Sequence, residues 1–495
     1  MLDYSALLYI VLILPALGGG LCLLLRSPAF ILTVVLATTM ATAMSAITAA
    51  AGVWTSGPVS ALGGWLYLDA LSAWHILVMM IVFMLASTYA QSYFRASLEA
   101  REFPRRAAQR FGALWLGALC TMTLVLVSNN LGILWVGVEG TTLLTAFLIC
   151  IHRTKVALEA MWKYLIICSV GVAFAFMGTL LVGAAAEQLH LSPAQSLLWT
   201  ELNANAAGLN PVLLKAAFLF LLVGYGTKAG LAPMHNWLPD AHSQAPAPVS
   251  ALFSGFMLNA ALYGILRYVP LVEGASGGTG WCLRLLAFFG VLSILVSAAF
   301  LYFQRDVKRL LAYSTVEHLG IIALGVGLGG AGAIAALFHM LNHSLGKSVA
   351  FFSAGRVGQI YGTHDIKKLS GALRTVPVWG AGLFVSLLAL IGMAPFSVFL
   401  SEFQIALAAA QSRAWWSLGL FLLGISVIFM SALRHGLSLA WGAPGETVPV
   451  GNKATAVDAV LVWLPLGVLL VLGLWMPPFL YQAMSQAAAV IGGAR

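Results

Sequence analysis

Gly224-Tyr-Gly-Thr-Lys-Ala-Gly-Leu-Ala-Pro233 lies deep in a long apolar run, and Leu390-Ile-Gly-Met-Ala-Pro-Phe396 repeats its Gly-x-Ala-Pro ending in another. Proline removes a helix hydrogen bond and disfavours helical backbone in the residue before it. Each stretch therefore predicts a helix broken part-way along. Broken backbone at membrane depth is tolerated only inside protein or beside a water-filled cavity. The reading of the fold turns on whether these runs cross a bilayer.

Composition says that they do. Of 495 residues, 61% are hydrophobic and only 8% charged, and mean hydropathy is +0.95. An ordinary soluble domain has about 25% charged residues and is about 45–50% apolar, so this chain could not cover a water-exposed surface. Fourteen apolar segments approach the ~20 residues that a membrane helix needs: 6–25, 29–53, 69–93, 111–128, 131–151, 162–186, 211–233, 247–269, 282–303, 310–328, 332–357, 376–408, 415–440 and 456–477. The expected fold is an all-α polytopic membrane protein of about fourteen transmembrane helices. No cleavable leader is expected, because the start, Met1-Leu-Asp3, is acidic where a signal peptide is basic.

Charge supports the map. Connections after odd-numbered segments hold 17 Lys and Arg, among them Arg26, Arg95, Arg101, Arg105, Arg106, Arg110, Arg305, Lys367 and Lys453; the other side holds Lys215, Arg267, Arg284, Arg413 and Arg495. Basic loops stay on the cytoplasmic side, which predicts both termini outside a cell (inner) membrane. The loop 187–210 is then outside, and 94–110 and 359–375 are inside. The same rule accounts for the net charge of +9 without nucleic acid. The five cysteines form no CxxC pair, which argues against metal, iron–sulfur or disulfide frameworks.

The two breaks fall in segments seven and twelve. Five is odd, so a five-helix unit repeated once would be inverted, as in transporters with inverted repeats. The expected organisation is 1–110 (helices one to three), 111–269 (first unit), 270–440 (second, inverted unit) and 441–495 (helix fourteen).

An ionised side chain at mid-bilayer costs at least ~2.5–3.5 kcal/mol on insertion scales and usually marks a pathway. Glu139, Lys228, Lys347 and Glu402 are such positions, the second and last beside the breaks. The bland reading is structural ion pairs; four charges in this arrangement favour a pathway. His339, His343 and Lys347 recur at i, i+4, i+8, so they share one helix face. Histidine titrates near neutrality, and the three together resemble a proton wire. A metal reading of the two histidines lacks a third ligand. The polar stretch His235-Asn-Trp-Leu-Pro-Asp240-Ala-His242 is a candidate proton entrance, or equally a set of loop turns. Glu317 and His318 belong to the same entrance or pair with the basic loop 305–309. The Gly-rich pieces 274–280 and 325–332 read as exterior turns.

From about 110 to 405 the chain resembles the antiporter-like membrane subunits shared by respiratory complex I, multisubunit sodium/proton antiporters and membrane-bound hydrogenases. The motifs are Ser128-Asn-Asn-Leu…Glu139, Gly226-Thr-Lys-Ala-Gly-Leu-Ala-Pro-Met-His-Asn-Trp-Leu-Pro-Asp240-Ala-His-Ser, Arg305-Asp-Val-Lys-Arg-Leu-Leu-Ala-Tyr-Ser314, and His339 through Lys347. Leu158 through Phe174 is similar to the component F branch of hydrogenase-4-type formate hydrogenlyase. The resemblance implies that Glu139 and Lys228 form an ion pair controlling proton admission. It also implies that Lys347 is the central carrier, beside His339 and His343, and that Glu402 is the exit. One departure is Asn259, where many relatives have Lys or His; asparagine cannot hold an excess proton, so that step needs water or the histidines.

No motif here carries electrons, so no cofactor is expected in this chain. Ni-Fe and iron–sulfur centres are expected in partners, which would be other membrane subunits and a peripheral redox arm. The alternatives are a subunit of a sodium/proton antiporter or of a proton-coupled inorganic-carbon uptake complex.

Overall fold

The computed structural model describes residues 4–99, 103–192, 194–441 and 454–492. The helices are α1 (Ser5–Leu24), α2 (Pro28–Ser56), α3 (Ala70–Glu99), α4 (Arg105–Val127), α5 (Leu131–Ile149), α6 (Lys155–Ala185), α7 (Trp199–Ala204), α8 (Pro211–Ala229), α9 (Leu238–Gln244), α10 (Ala247–Leu252), α11 (Leu258–Ala275), α12 (Trp281–Leu301), α13 (Val307–Leu328), α14 (Gly330–Tyr361), α15 (Ala372–Thr375), α16 (Pro377–Leu390), α17 (Ser397–Gln411), α18 (Trp415–Trp441), α19 (Ala456–Leu474) and α20 (Pro478–Gly492). A small antiparallel hairpin, β1 (Val59–Ala61) with β2 (Leu66–Leu68), pairs Ser60 with Tyr67. The protein is a polytopic all-α membrane protein.

Twelve spans among the described residues are long and apolar enough to cross a bilayer. Two of the fourteen expected segments fall outside that set. Segment 332–357 lies in α14, which carries His339, Asn342, His343, Ser344, Lys347 and Ser348 along its middle. Segment 376–408 is divided into α16 and α17 by the break at Ile391–Phe396. Two further expectations are refined. The Gly-rich piece 325–332 is a turn only at Gly329 and Gly330, both at positive φ, because α13 and α14 take up the rest of it. The last expected segment is followed by a second helix, α20, which packs against α3, α11 and α14. The break at Trp475–Pro477 separates it from α19, and its 15 residues fall short of a bilayer crossing.

Caps fix where the helices start. The Asn130 side chain accepts from Gly132 and Ile133 N–H (2.9 and 3.1 Å) to begin α5, and Asp306 accepts from Lys308 and Arg309 N–H (2.8 and 2.9 Å) to begin α13. Asn129, next to Asn130, donates to the Gly64 carbonyl (2.7 Å) and to the hydroxyl of Thr200 in α7 (2.9 Å). The Ser-Asn-Asn motif thus ties the hairpin and α7 to the top of α5.

The two ends of the bundle differ. At one end Arg105 donates to the Leu25 carbonyl, Gln359 to the Tyr93 carbonyl, and Arg309 and Lys163 both pair with Asp240. The basic connections therefore gather on one side, as the charge map predicts. Arg101 and Lys453 of that map lie outside the described residues, as does Arg495. The core is the span 247–275, whose most apolar window is 100% buried, with α3, α8 and α14 packed around it. Helices α1, α6, α18 and α19 turn large apolar side chains outward, including Leu24, Ile166, Met430 and Leu474.

Candidate functional site

Both breaks are built alike. Helix α8 ends on Gly230 and the α16 side on Gly392, each with left-handed backbone (φ +76° and +70°) that favours glycine. An Ala–Pro pair follows each, at 232–233 and 394–395. The break after α16 is stitched to α14: Asn342 donates to the Ser397 carbonyl (3.0 Å), and the Ser397 hydroxyl donates to Asn342 Oδ1 (2.9 Å).

In the first half, Lys228 is 1% exposed and points at α6, where its Nζ donates to the Tyr164 hydroxyl. Tyr164 in turn shares a hydrogen bond with Thr145 (2.6 Å). Glu139 accepts from Ser169 on the same helix (2.8 Å), and its other oxygen is buried without a partner. The expected Glu139–Lys228 ion pair is therefore not formed. Helix α6 stands between them and offers each charge its own hydroxyl. No local pattern signals this, since Tyr164 and Ser169 look like ordinary helix residues.

The span 247–275 joins the halves. Between α10 and α11 it makes one π-helical turn, Phe253–Met257, a device often found at functional sites. Ser254 shares a hydrogen bond with Thr315 of α13 (2.6 Å), and the Gly255 carbonyl accepts from Ser344 of α14 (2.5 Å) and from Asn259 (3.2 Å). Asn259 Oδ1 is left buried and unpartnered.

The second half is denser. Lys347 is fully buried and donates to the Leu311 carbonyl of α13 (2.9 Å). Glu317 lies within its electrostatic reach; α13 brings the carboxylate that α14 itself lacks. His318 is not near the basic loop 305–309. It shares a hydrogen bond with His339 (2.9 Å), whose other nitrogen meets Ser401 of α17 (2.9 Å). His343 stacks beside His318 with ring centres 4.9 Å apart, and neither of its nitrogens has a partner. Ligand atoms of His318, His339 and Glu402 all lie within 4.8 Å of one another.

The candidate entrance residues divide. Asp240 is held by Lys163 (3.2 Å) and Arg309 (2.9 Å) around a cavity of about 210 Å³. His235 is buried against Phe300 and Tyr313. His242 stacks on Phe351 of α14 (5.0 Å), with both nitrogens unpartnered. Lys308 donates to the Ser243 and Ala245 carbonyls (3.1 and 2.5 Å) and holds the end of α9 in place.

One polar site was missed altogether. Arg267 donates to both oxygens of Asp69 (2.6 and 2.8 Å), to Ser72 (2.6 Å) and to Tyr263 (2.7 Å), and lies over the Trp199 ring. The charge map treated Arg267 as a loop residue, and Asp69 sits at the edge of an apolar run.

Fold and site define a multi-pass membrane protein with ionisable and hydroxyl groups buried through its centre. The chain belongs to the NADH:quinone oxidoreductase/Mrp antiporter transmembrane family, whose pattern matches residues 128–428. It is 38% identical over 390 residues to a hydrogenase-4 component F homolog of Methylacidiphilum infernorum, covering 78% of this chain and 82% of that one. It superposes on a subunit of the membrane-bound sulfane sulfur reductase, an archaeal respiratory membrane complex, with TM-score 0.85 and 26% identity over 99% of this chain and 97% of that one. A chain of respiratory complex I from Thermus thermophilus matches with TM-score 0.75 and 26% identity, over 94% and 97%.

Proposed function

We propose that this chain is the proton-translocating, non-redox membrane subunit of a membrane-bound oxidoreductase of the group 4 hydrogenase or formate hydrogenlyase type. Family membership and the relatives above support a subunit of a larger membrane complex. Ni-Fe and iron–sulfur chemistry would then reside in the partners. Residues 111–269 and 270–440 act as two units of opposite orientation, a reading supported by the matching Gly-x-Ala-Pro breaks. The chain sits in the cell membrane with its basic end on the cytoplasmic side.

The observation that carries the reading is the buried run Lys347, Glu317, His318, His339, Ser401 and Glu402, contributed by three helices on either side of a break. A proton reaching Lys347 has hydrogen-bonding groups ahead of it towards Glu402, and water excluded by the packed core cannot short-circuit them. Lys228, Tyr164 and the π-helical turn lead from the first half. Asn259 serves as a hydrogen-bonding spacer, so the histidines carry the load there. Moving one charge against 100 mV costs ~2.3 kcal/mol, which the redox chemistry of the partners would have to supply.

Lys347→Met removes the proton site and keeps much of the volume. Reconstituted complex carrying it should assemble normally and build no proton gradient. Lys347→Arg should fail too, because guanidinium does not release its proton in this range. A normal gradient with Lys347→Met would make this lysine structural and sink the proposed route.

A further inference from the structure

On the sequence, His339 and His343 lacked a third metal ligand. The fold supplies a different set: His318 from α13, His339 from α14 and Glu402 from α17, with ligand atoms within 4.8 Å of one another. We infer that His318, His339 and Glu402 form a binding site for a zinc-class divalent transition metal, distinct from any redox centre. His318 and His339 are fully buried and Glu402 is 7% exposed. His318 Nε2 is buried with no hydrogen-bond partner, an unmet hydrogen-bonding capacity. His339 is already oriented as metal-binding histidines are, its Nδ1 against Ser401 Oγ at 2.9 Å, which leaves Nε2 to face the cluster.

Chemistry selects the ion. Two imidazoles and one carboxylate suit zinc and its neighbours, whereas sodium, magnesium and calcium prefer all-oxygen sites. Ligand bonds to zinc are about 2.0–2.2 Å, so a side-chain rotation must close the cluster. Breaking the His318–His339 hydrogen bond is the main cost. Glu317 lies within electrostatic reach of Glu402 and brings a second carboxylate to a dication, partly offset by the Lys347 ammonium that faces Glu317 and His318. Glu402 also lines a cavity of about 440 Å³ between α17 and α18, which leaves room for a water as fourth ligand. Metal bound here would occupy the nitrogens through which the proton run passes, so zinc should halt transport; that consequence rests on the function proposed above.

The test is zinc retention by the full chain in lipid nanodiscs, read by elemental analysis after desalting. Wild type should keep one zinc per chain, and His318→Gln and Glu402→Gln should keep none. Ser401→Ala, which removes only the orienting hydroxyl, should bind about 10–100-fold more weakly. His343→Gln, on the same helix but outside the set, should bind as wild type does and serves as the folding control. Wild type without zinc above empty nanodiscs overturns the site, as does equal loss in His343→Gln and His318→Gln. Retention of zinc by vesicles that still pump would keep the site and refute the pathway instead, so the two failures are separable.

Discussion

At the scale of single residues, the buried charges are held by partners from other helices, and that decides what substitution does. Asp69 and Arg267 form a bidentate pair, 3% and 2% exposed. Removing one partner of a buried pair typically costs about 3–5 kcal/mol, because the survivor is left uncompensated. Asp69→Asn should therefore lower the thermal unfolding midpoint of the solubilised protein sharply, and Asp69→Asn with Arg267→Met should recover part of the loss. An unchanged midpoint in the single variant would show that the pair is idle. Lys228 gives a second case. Its hydroxyl partner is Tyr164, whereas Glu139 is served by Ser169. A double-mutant cycle on gradient formation should thus find stronger coupling between Lys228→Ala and Tyr164→Phe than between Lys228→Ala and Glu139→Ala. The reverse order would restore the direct ion pair.

At the scale of elements, the breaks position the buried charges beside them, and glycine is what permits them. Gly392 combines a left-handed backbone with a carboxylate packed where its Cβ would stand, that of Glu402. Left-handed backbone alone costs a non-glycine residue about 1–2 kcal/mol, and the collision would also displace Glu402. Gly392→Ala should leave helical content by circular dichroism intact while reducing proton translocation severely. Full transport by this variant would show that the placement of Glu402 is uncritical. The π-helical turn 253–257 plays the complementary part, freeing the Gly255 carbonyl to bond across to α14.

At the scale of the whole molecule, the proposed orientation rests on the charge asymmetry of the connections. Cysteines placed at Lys367 and Asn205, both exposed and at opposite ends, should be labelled by an impermeant reagent from opposite sides of the membrane. Lys367 should react only from the cytoplasmic side. Labelling of both from one side would overturn the topology, and with it the inverted units.

Much of this was legible in the chain. Membrane class, helix order, both breaks and the charge gradient follow from the sequence itself. Hydropathy, proline and glycine act locally, and the cost of burying polar backbone leaves few alternatives. The alignment of His339, His343 and Lys347 was likewise readable, because helical periodicity fixes which residues share a face. What only the tertiary structure decided is which groups meet. His318 joins His339 and Glu402 across three helices, Tyr164 displaces Glu139 as the partner of Lys228, and Asp69 finds Arg267 198 residues away. Side chains on different helices meet through crossing angle, rotation and depth. Those are set by the packing of many small residues at once, and no local pattern records them.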